Sequence, residues 1–423
     1  MLIYNKKGKP SWLPFFIDYI YGKLKIMENC LFSKRNVAID MLRGLTMLLM
    51  VFVNDMWTVG DVPHFLEHFD TREDGMGVAD LVFPMFLFAM GMSIPYAIER
   101  RFSKGFSGES TLGHILSRTL ALLLMGVFIV NSEGRFESTL GYGLPFYRIA
   151  MVIAFFLIWN AYPAGAKHKK WLQASGIAIL LFLAFTFRNP RGGYFTAGWW
   201  GILGLIGWAY CFCAVAYLLA RKKPQYLIII WIALMLVNML HTGMRDGGNL
   251  LEGRTFISDM AGVLRLGNGS GTIMATGGML LSLAERRLYG RTAPVRIVCA
   301  LAASVLLAAI AAVAHNWWII SKNLGTLPWC LYVSSISVAL YAFLRVLEAY
   351  GKTGWFRPLS PSGTATLTVY MMPYLLYSIS AIIGLHTPHG LNGALGLLKC
   401  ALFSLVCVFC AGLLGKIRIK LSV

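Results

Sequence analysis

The chain has 423 residues, 57% of them hydrophobic and 13% charged, with a formal net charge of +19. A soluble domain carries about a quarter charged residues, so this composition argues against a soluble globular protein. The positive balance invites a nucleic-acid reading, but the cations are dispersed through short connections between apolar blocks, so nucleic acid is excluded as a partner and the lipid bilayer takes its place.

The first 36 residues read as a basic cytoplasmic arm, with an interfacial helix around 12–27. Asp18, Lys23 and Lys25 interrupt its apolar stretch, so it does not read as a cleavable signal peptide. From residue 37 onward, apolar blocks recur at lengths that span roughly 30 Å of hydrocarbon as helices. Twelve spans are predicted, at about 37–54, 78–98, 112–131, 145–162, 171–187, 198–220, 225–241, 270–285, 295–314, 326–347, 362–384 and 393–415. The expected fold is an all-α membrane bundle of about 11–12 helices: one transmembrane domain over 37–415 with a short tail at 416–423.

Charge orients the spans. With the N-terminus inside, the inner connections hold Arg100, Arg101 and Lys104, then Lys167, Lys169 and Lys170, then Arg221, Lys222 and Lys223, while the first outer connection is acidic. Both termini are then cytoplasmic. Of the eight cysteines, Cys30 falls in the arm and the other seven inside predicted spans, where thiols behave as small hydrophobes. None shows metal-site spacing, so no metal is expected.

Several residues carry candidate chemistry. Asp40 and Arg43 are neighbours on one helix face near the inner end, either as a structural ion pair or as a functional one. Asn54 closes the same span at the outer end, where an amide caps or orients. His68 follows in the acidic outer connection, among Glu67, Asp70, Glu73 and Asp74; it is a general-base candidate or a solvated loop histidine. His64 is close enough to compete for its role. Asp80 suits the N-terminal turn of the second span as a cap and dipole partner. Arg148 lies where an outer connection enters a span, in position to bind an anion or carbonyl, and Lys322 is a lone outer cation. The segment "GNGSGTIMATGGM" at 267–279 has small residues at spacing suited to close helix contact.

"RGLTMLLMVFVND", an outer histidine and "ADLVFPMFLFAMGMSI" together resemble the heparan-α-glucosaminide N-acetyltransferase family, whose bacterial relatives include a group known only as a domain of unknown function. The matching residues are Arg43, Gly44, Asn54, His68 and the run Asp80 to Phe88, with Lys322, Leu324 and Thr326 matching a later element. The resemblance implies a bacterial-type member that uses cytosolic acetyl-CoA to acetylate an amino sugar or glycan across the membrane. It makes His68 and Asn54 the catalytic pair. Asp80, Arg148, Lys322 and Glu67 are then expected at the acceptor, and Asp40 and Arg43 at the acetyl-CoA end. The expected setting is a bacterial inner membrane with the acceptor site facing the periplasm; a homodimer is left open. Two rival functions stand beside it: a secondary transporter of a sugar or small solute, which twelve spans suit, and an O-acyltransferase acting on a surface polysaccharide.

Overall fold

The computed structural model describes residues 36–134, 136–163, 165–189, 192–199, 201–245, 268–385 and 391–423. The predicted arm with its interfacial helix and Cys30, most of the 242–269 connection, and His386 and His389 lie outside the described residues.

The helices follow the apolar blocks closely. They are α1 (Val37–Asp55), α2 (Val78–Ser103), α3 (Gly108–Glu133), α4 (Leu144–Trp159), α5 (Lys169–Thr186), α6 (Ile202–Ala220) and α7 (Tyr226–His241), then α8 (Ser270–Arg287), α9 (Ala293–Ala314), α10 (Leu327–Ala349), α11 (Ser360–Thr364), α12 (Thr366–Ile382) and α13 (Gly393–Lys416). Their starts carry ordinary stop-and-go chemistry. Asn36 accepts the Ile39 N–H at 3.2 Å to begin α1, and Ser107 accepts the Ser110 N–H at 3.2 Å to begin α3. Prolines sit in the first turns of α4, α9 and α10, where a missing N–H leaves no bond unmade.

One predicted span is two helices. The stretch expected as 362–384 breaks at Ala365, between the five-residue α11 and α12. Among the described residues, seven helices are long and apolar enough to cross a membrane, and α4, α7 and α12 are apolar but shorter. Connections cluster by parity. Those after α1, α7 and α9 meet through Asp74, Arg245 and His315, and those after α3 and α5 pair as a two-stranded sheet of β1 (Glu137–Ser138) and β2 (Phe187–Arg188). At the other extreme, the chain end pairs with the connection after α4, and Arg221 binds Glu99. This is the alternation expected of a chain that crosses the bundle once per helix, with α11 and α12 counting as one crossing.

The core is built round α2, which packs against α1, α6, α8 and α10. Its contact with α8 is backbone on backbone. A Cβ on Gly91 would collide with the Ala275 carbonyl, and one on Gly278 with the Phe88 carbonyl. The small-residue segment therefore serves close helix contact, as its spacing predicts. The peripheral helix α9 exposes Val298, Val305 and Leu306, the apolar surface that lipid covers.

Candidate active site and its cavities

His68 lies in the connection between α1 and α2, and the start of α2 holds it. The Asp80 carboxylate is buried, and its Oδ2 accepts the N–H groups of Gly77 and Phe69, both at 3.1 Å. The first of these closes the N-terminus of α2, as an acid in the first turn should. Its Oδ1 lies 2.7 Å from His68 Nδ1. Asp80 is thus both a cap and the partner of the histidine. Gly77 is required here, because a Cβ would collide with the Glu67 carbonyl.

Lys322 comes from the connection between α9 and α10. Its Nζ is 2.9 Å from His68 Nδ1 and 3.6 Å from Asp80 Oδ1. Burial pushes the Lys322 ammonium below its ordinary value, and Asp80 works against that. Asp80 and Lys322 therefore bear directly on the imidazole. Glu67 is exposed and makes no side-chain hydrogen bond to either.

The rest of the acidic run answers a structural need. Asp74 accepts from Arg245 at 2.6 Å and from the Ile320 N–H at 2.8 Å, and pairs with His315 at 2.8 Å. Burial works to raise its pKa, but the Ile320 amide, His315 and Arg245 outweigh it and hold the carboxyl below the usual range. Ser321 donates to the Thr71 carbonyl at 3.0 Å, so the loop carrying Lys322 is fastened to the loop carrying His68.

His64 is a different kind of histidine. It is exposed, stacks on Phe69 with ring centroids 4.4 Å apart, and pairs with Glu73 at 2.6 Å. The hydrogen bond with Glu73 raises the His64 pKa and lowers that of Glu73. The histidine's contribution is full below its ordinary 6.5 and is lost as pH rises through its raised value. The acid's is full above its ordinary 4.5 and is lost as pH falls through its lowered value. The two overlap between 4.5 and 6.5. Amide exchange in residues 65–75, corrected for intrinsic rate, is expected to be slowest in that window. Equal protection there and at about pH 8 would mean that the pair does not hold the loop.

Asn54 is placed elsewhere at the same end of the bundle. It lines a cavity of about 890 Å³ together with Arg148, Glu133, Tyr374 and Lys399. His68 is not in that lining, and no hydrogen bond joins it to Asn54. Arg148 donates to the Ser132 carbonyl at 2.7 Å, while its buried Nε and the buried Tyr377 hydroxyl have no partner among the described residues. Tyr374 donates to Glu133 at 2.9 Å. Trp57, 77% exposed, adds an aromatic face at the mouth.

Asp40 and Arg43 belong to the opposite, basic end. They pair at 2.8 Å, and Arg43 Nε donates to the Gly363 carbonyl at 2.7 Å, which fixes α11 against α1. They line a second cavity of about 370 Å³, with Arg100 and Lys420 on its wall. Between the two lies a narrow third space of about 100 Å³, walled mainly by apolar side chains such as Met47, Met50, Phe86 and Met90, with Arg118 and Tyr210 also on its wall. Arg43, Ser93 and Ala97 line both the basic-end cavity and the narrow one; Tyr370 lines both the narrow one and the large one. The three spaces form a run along α1 from Arg43 to Asn54, eleven residues or roughly 16 Å of helix.

Sequence reasoning missed three charged groups at the wide cavity, Asp55, Lys399 and Glu133, and Tyr374 beside them. Asp55 is buried and pairs with Lys399 at 2.9 Å, and Thr58 accepts from the same ammonium at 2.7 Å. The signal was a single lysine inside the apolar run of α13, which by default marks a functional or paired site. Glu133 and Tyr374 gave no such signal.

Seven helices long and apolar enough to cross a membrane, among the described residues, define a multi-pass membrane protein. Residues 35–249, half of the chain, match the family described as domain of unknown function DUF5009, and the chain belongs to that family. It is also similar to heparan-alpha-glucosaminide N-acetyltransferase of Mus musculus, 41% identical over 131 residues, and to the Homo sapiens protein of the same name, 38% identical over 94 residues. Those matches cover 31% and 22% of this chain but only 18% and 13% of the relatives' own length.

Proposed function

We propose that the protein is a transmembrane acetyltransferase. It takes acetyl from acetyl-CoA at the basic end and delivers it to an amino sugar or glycan at the end carrying His68. The observation that carries this reading is the run of three cavities from Arg43 to Asn54. The basic-end cavity suits an anionic donor, since Arg43, Arg100 and Lys420 face it. The narrow apolar stretch suits the donor's uncharged arm. The wide cavity, with aromatic walls, two unpartnered polar groups and a carboxylate, suits a sugar. The basic end is then cytosolic, by the excess of cations in its connections, and the wide cavity faces the periplasm. The family likeness supports the same reaction.

The acceptor ammonium first loses one proton to solvent, and His68, which does not line the wide cavity, serves an acceptor that extends from that cavity to the loop between α1 and α2. The amine attacks the thioester carbonyl; as the new C–N bond forms, His68 takes the second proton from that nitrogen, and the C–S bond breaks with thiolate leaving. Asn54 donates to the oxygen on which charge develops. His68 returns the proton to the departing sulfur.

Purified protein given acetyl-CoA and glucosamine in detergent is expected to form N-acetylglucosamine, detected by mass. Uptake of the sugar into proteoliposomes without chemical change would instead establish a transporter, the alternative to which a cavity run spanning the bundle also lends itself. Acceptor profiling separates N- from O-acetylation. Arg100→Gln, on the rim of the basic-end cavity, is expected to raise KM for acetyl-CoA about tenfold with kcat unchanged. An unchanged KM would place the donor elsewhere.

A further inference from the structure

Asp80 has two oxygens and only one is open to side chains. Oδ2 is taken by the amides of Phe69 and Gly77. Oδ1 faces both His68 Nδ1 at 2.7 Å and Lys322 Nζ at 3.6 Å. The same ammonium lies 2.9 Å from His68 Nδ1 and 3.4 Å from Nε2, close to both ring nitrogens. An ammonium only donates. If it donated to Nδ1, a bare nitrogen lone pair would face the Asp80 carboxylate at hydrogen-bond distance. The satisfied arrangement has Nδ1–H donating to Oδ1 and Nε2 without a proton, accepting from the Lys322 ammonium at 3.4 Å.

We propose that Lys322 is a positioning residue for His68: its charge, anchored by Asp80, opposes a second positive charge on the imidazole and keeps Nε2 unprotonated, so that an acceptor displacing the ammonium from Nε2 meets a bare lone pair. Without it, the buried carboxylate alone would face the ring and favour the imidazolium. The other acids of the loop do not take the place of Asp80 beside the ring. Glu67 is exposed, Glu73 is engaged with His64 and the Asp70 amide, and Asp74 with Arg245 and His315. From the facing loop, Asn323 reaches Phe69 and Thr71 without charge. Burial of Lys322 strengthens its effect by limiting solvent screening.

The inference rests on His68 acting as the base, and the test separates the two. Diethyl pyrocarbonate modifies only neutral imidazole, and mass analysis of the His68 peptide reads its extent across about pH 5 to 9. Lys322→Met is expected to move the midpoint for His68 up by about one pH unit, and Lys322→Arg to restore it. Lys322→Gln serves where the Met variant is not recovered as a monodisperse protein. A midpoint that stays or falls overturns the inference. In acetyl-transfer assays the acid limb of kcat/KM is expected to move by the same amount. If no acetyl is transferred by the unaltered protein, the functional reading fails while the modification midpoint still decides the role of Lys322.

Discussion

His68→Ala is expected to lower acetyl transfer by a factor of about 10² to 10⁴, the range in which a positioned base contributes, while the protein elutes and unfolds as before. The fold should tolerate the change because the ring is half exposed, with 51% of its side chain open. Asp80 keeps its two backbone amides without it, so the start of α2 remains closed. Donor KM should be unaltered, since the basic-end cavity is remote from the loop. The measurement is single-turnover transfer with saturating acetyl-CoA. Wild-type rates in the variant would remove His68 from the chemistry. Glu133 would then be the first replacement to examine, as a carboxylate that lines the wide cavity with Asn54 and, unlike Asp55, is not paired with Lys399, with His64 the second.

The largest stability effect is expected at Lys399. Its ammonium is 2.9 Å from a carboxylate whose side chain is 1% exposed, and its own side chain is 21% exposed. Lys399→Met leaves Asp55 buried and unpaired, and removing one partner of a buried pair costs about 3–5 kcal/mol. Asp55 sits at the end of α1 and Lys399 in α13, so the loss should loosen the wall of the wide cavity as well as lower the unfolding temperature. The double variant Asp55→Asn, Lys399→Met should recover most of the loss, because no orphaned charge remains. Thermal unfolding in one detergent compares all three. A loss under about 1 kcal/mol in the single variant would mean that water already reaches Asp55.

Hydropathy made the architecture legible because a crossing of the bilayer needs an apolar length, and that requirement is local. Spans as different as 78–98 and 393–415 are found within a few residues of their predicted ends. The break at Ala365 was not legible, since α11 is set by Arg43 reaching the Gly363 carbonyl, a contact between positions 320 residues apart. The site divides in the same way. The chemistry of His68 and Asp80 could be seen in one short stretch, and the cap role of Asp80 follows from its place in the first turn. That Lys322 completes the cluster was not visible, and neither was the separation of Asn54 from His68. The wide cavity assembles α1, α3, α4, α12 and α13, and pairings such as Asp55 with Lys399 leave no periodic trace.

The narrow middle of the cavity run also bears on the integrity of the membrane. A tunnel wide at both ends would short-circuit the proton and ion gradients a cell maintains. A waist of about 100 Å³, walled chiefly by apolar side chains and carrying the cations of Arg43 and Arg118, opposes ions by dewetting and opposes cations by charge as well. Flexible thioethers can part for a slender chain and close again behind it. The same few side chains would then admit an organic thread while keeping the bilayer electrically tight.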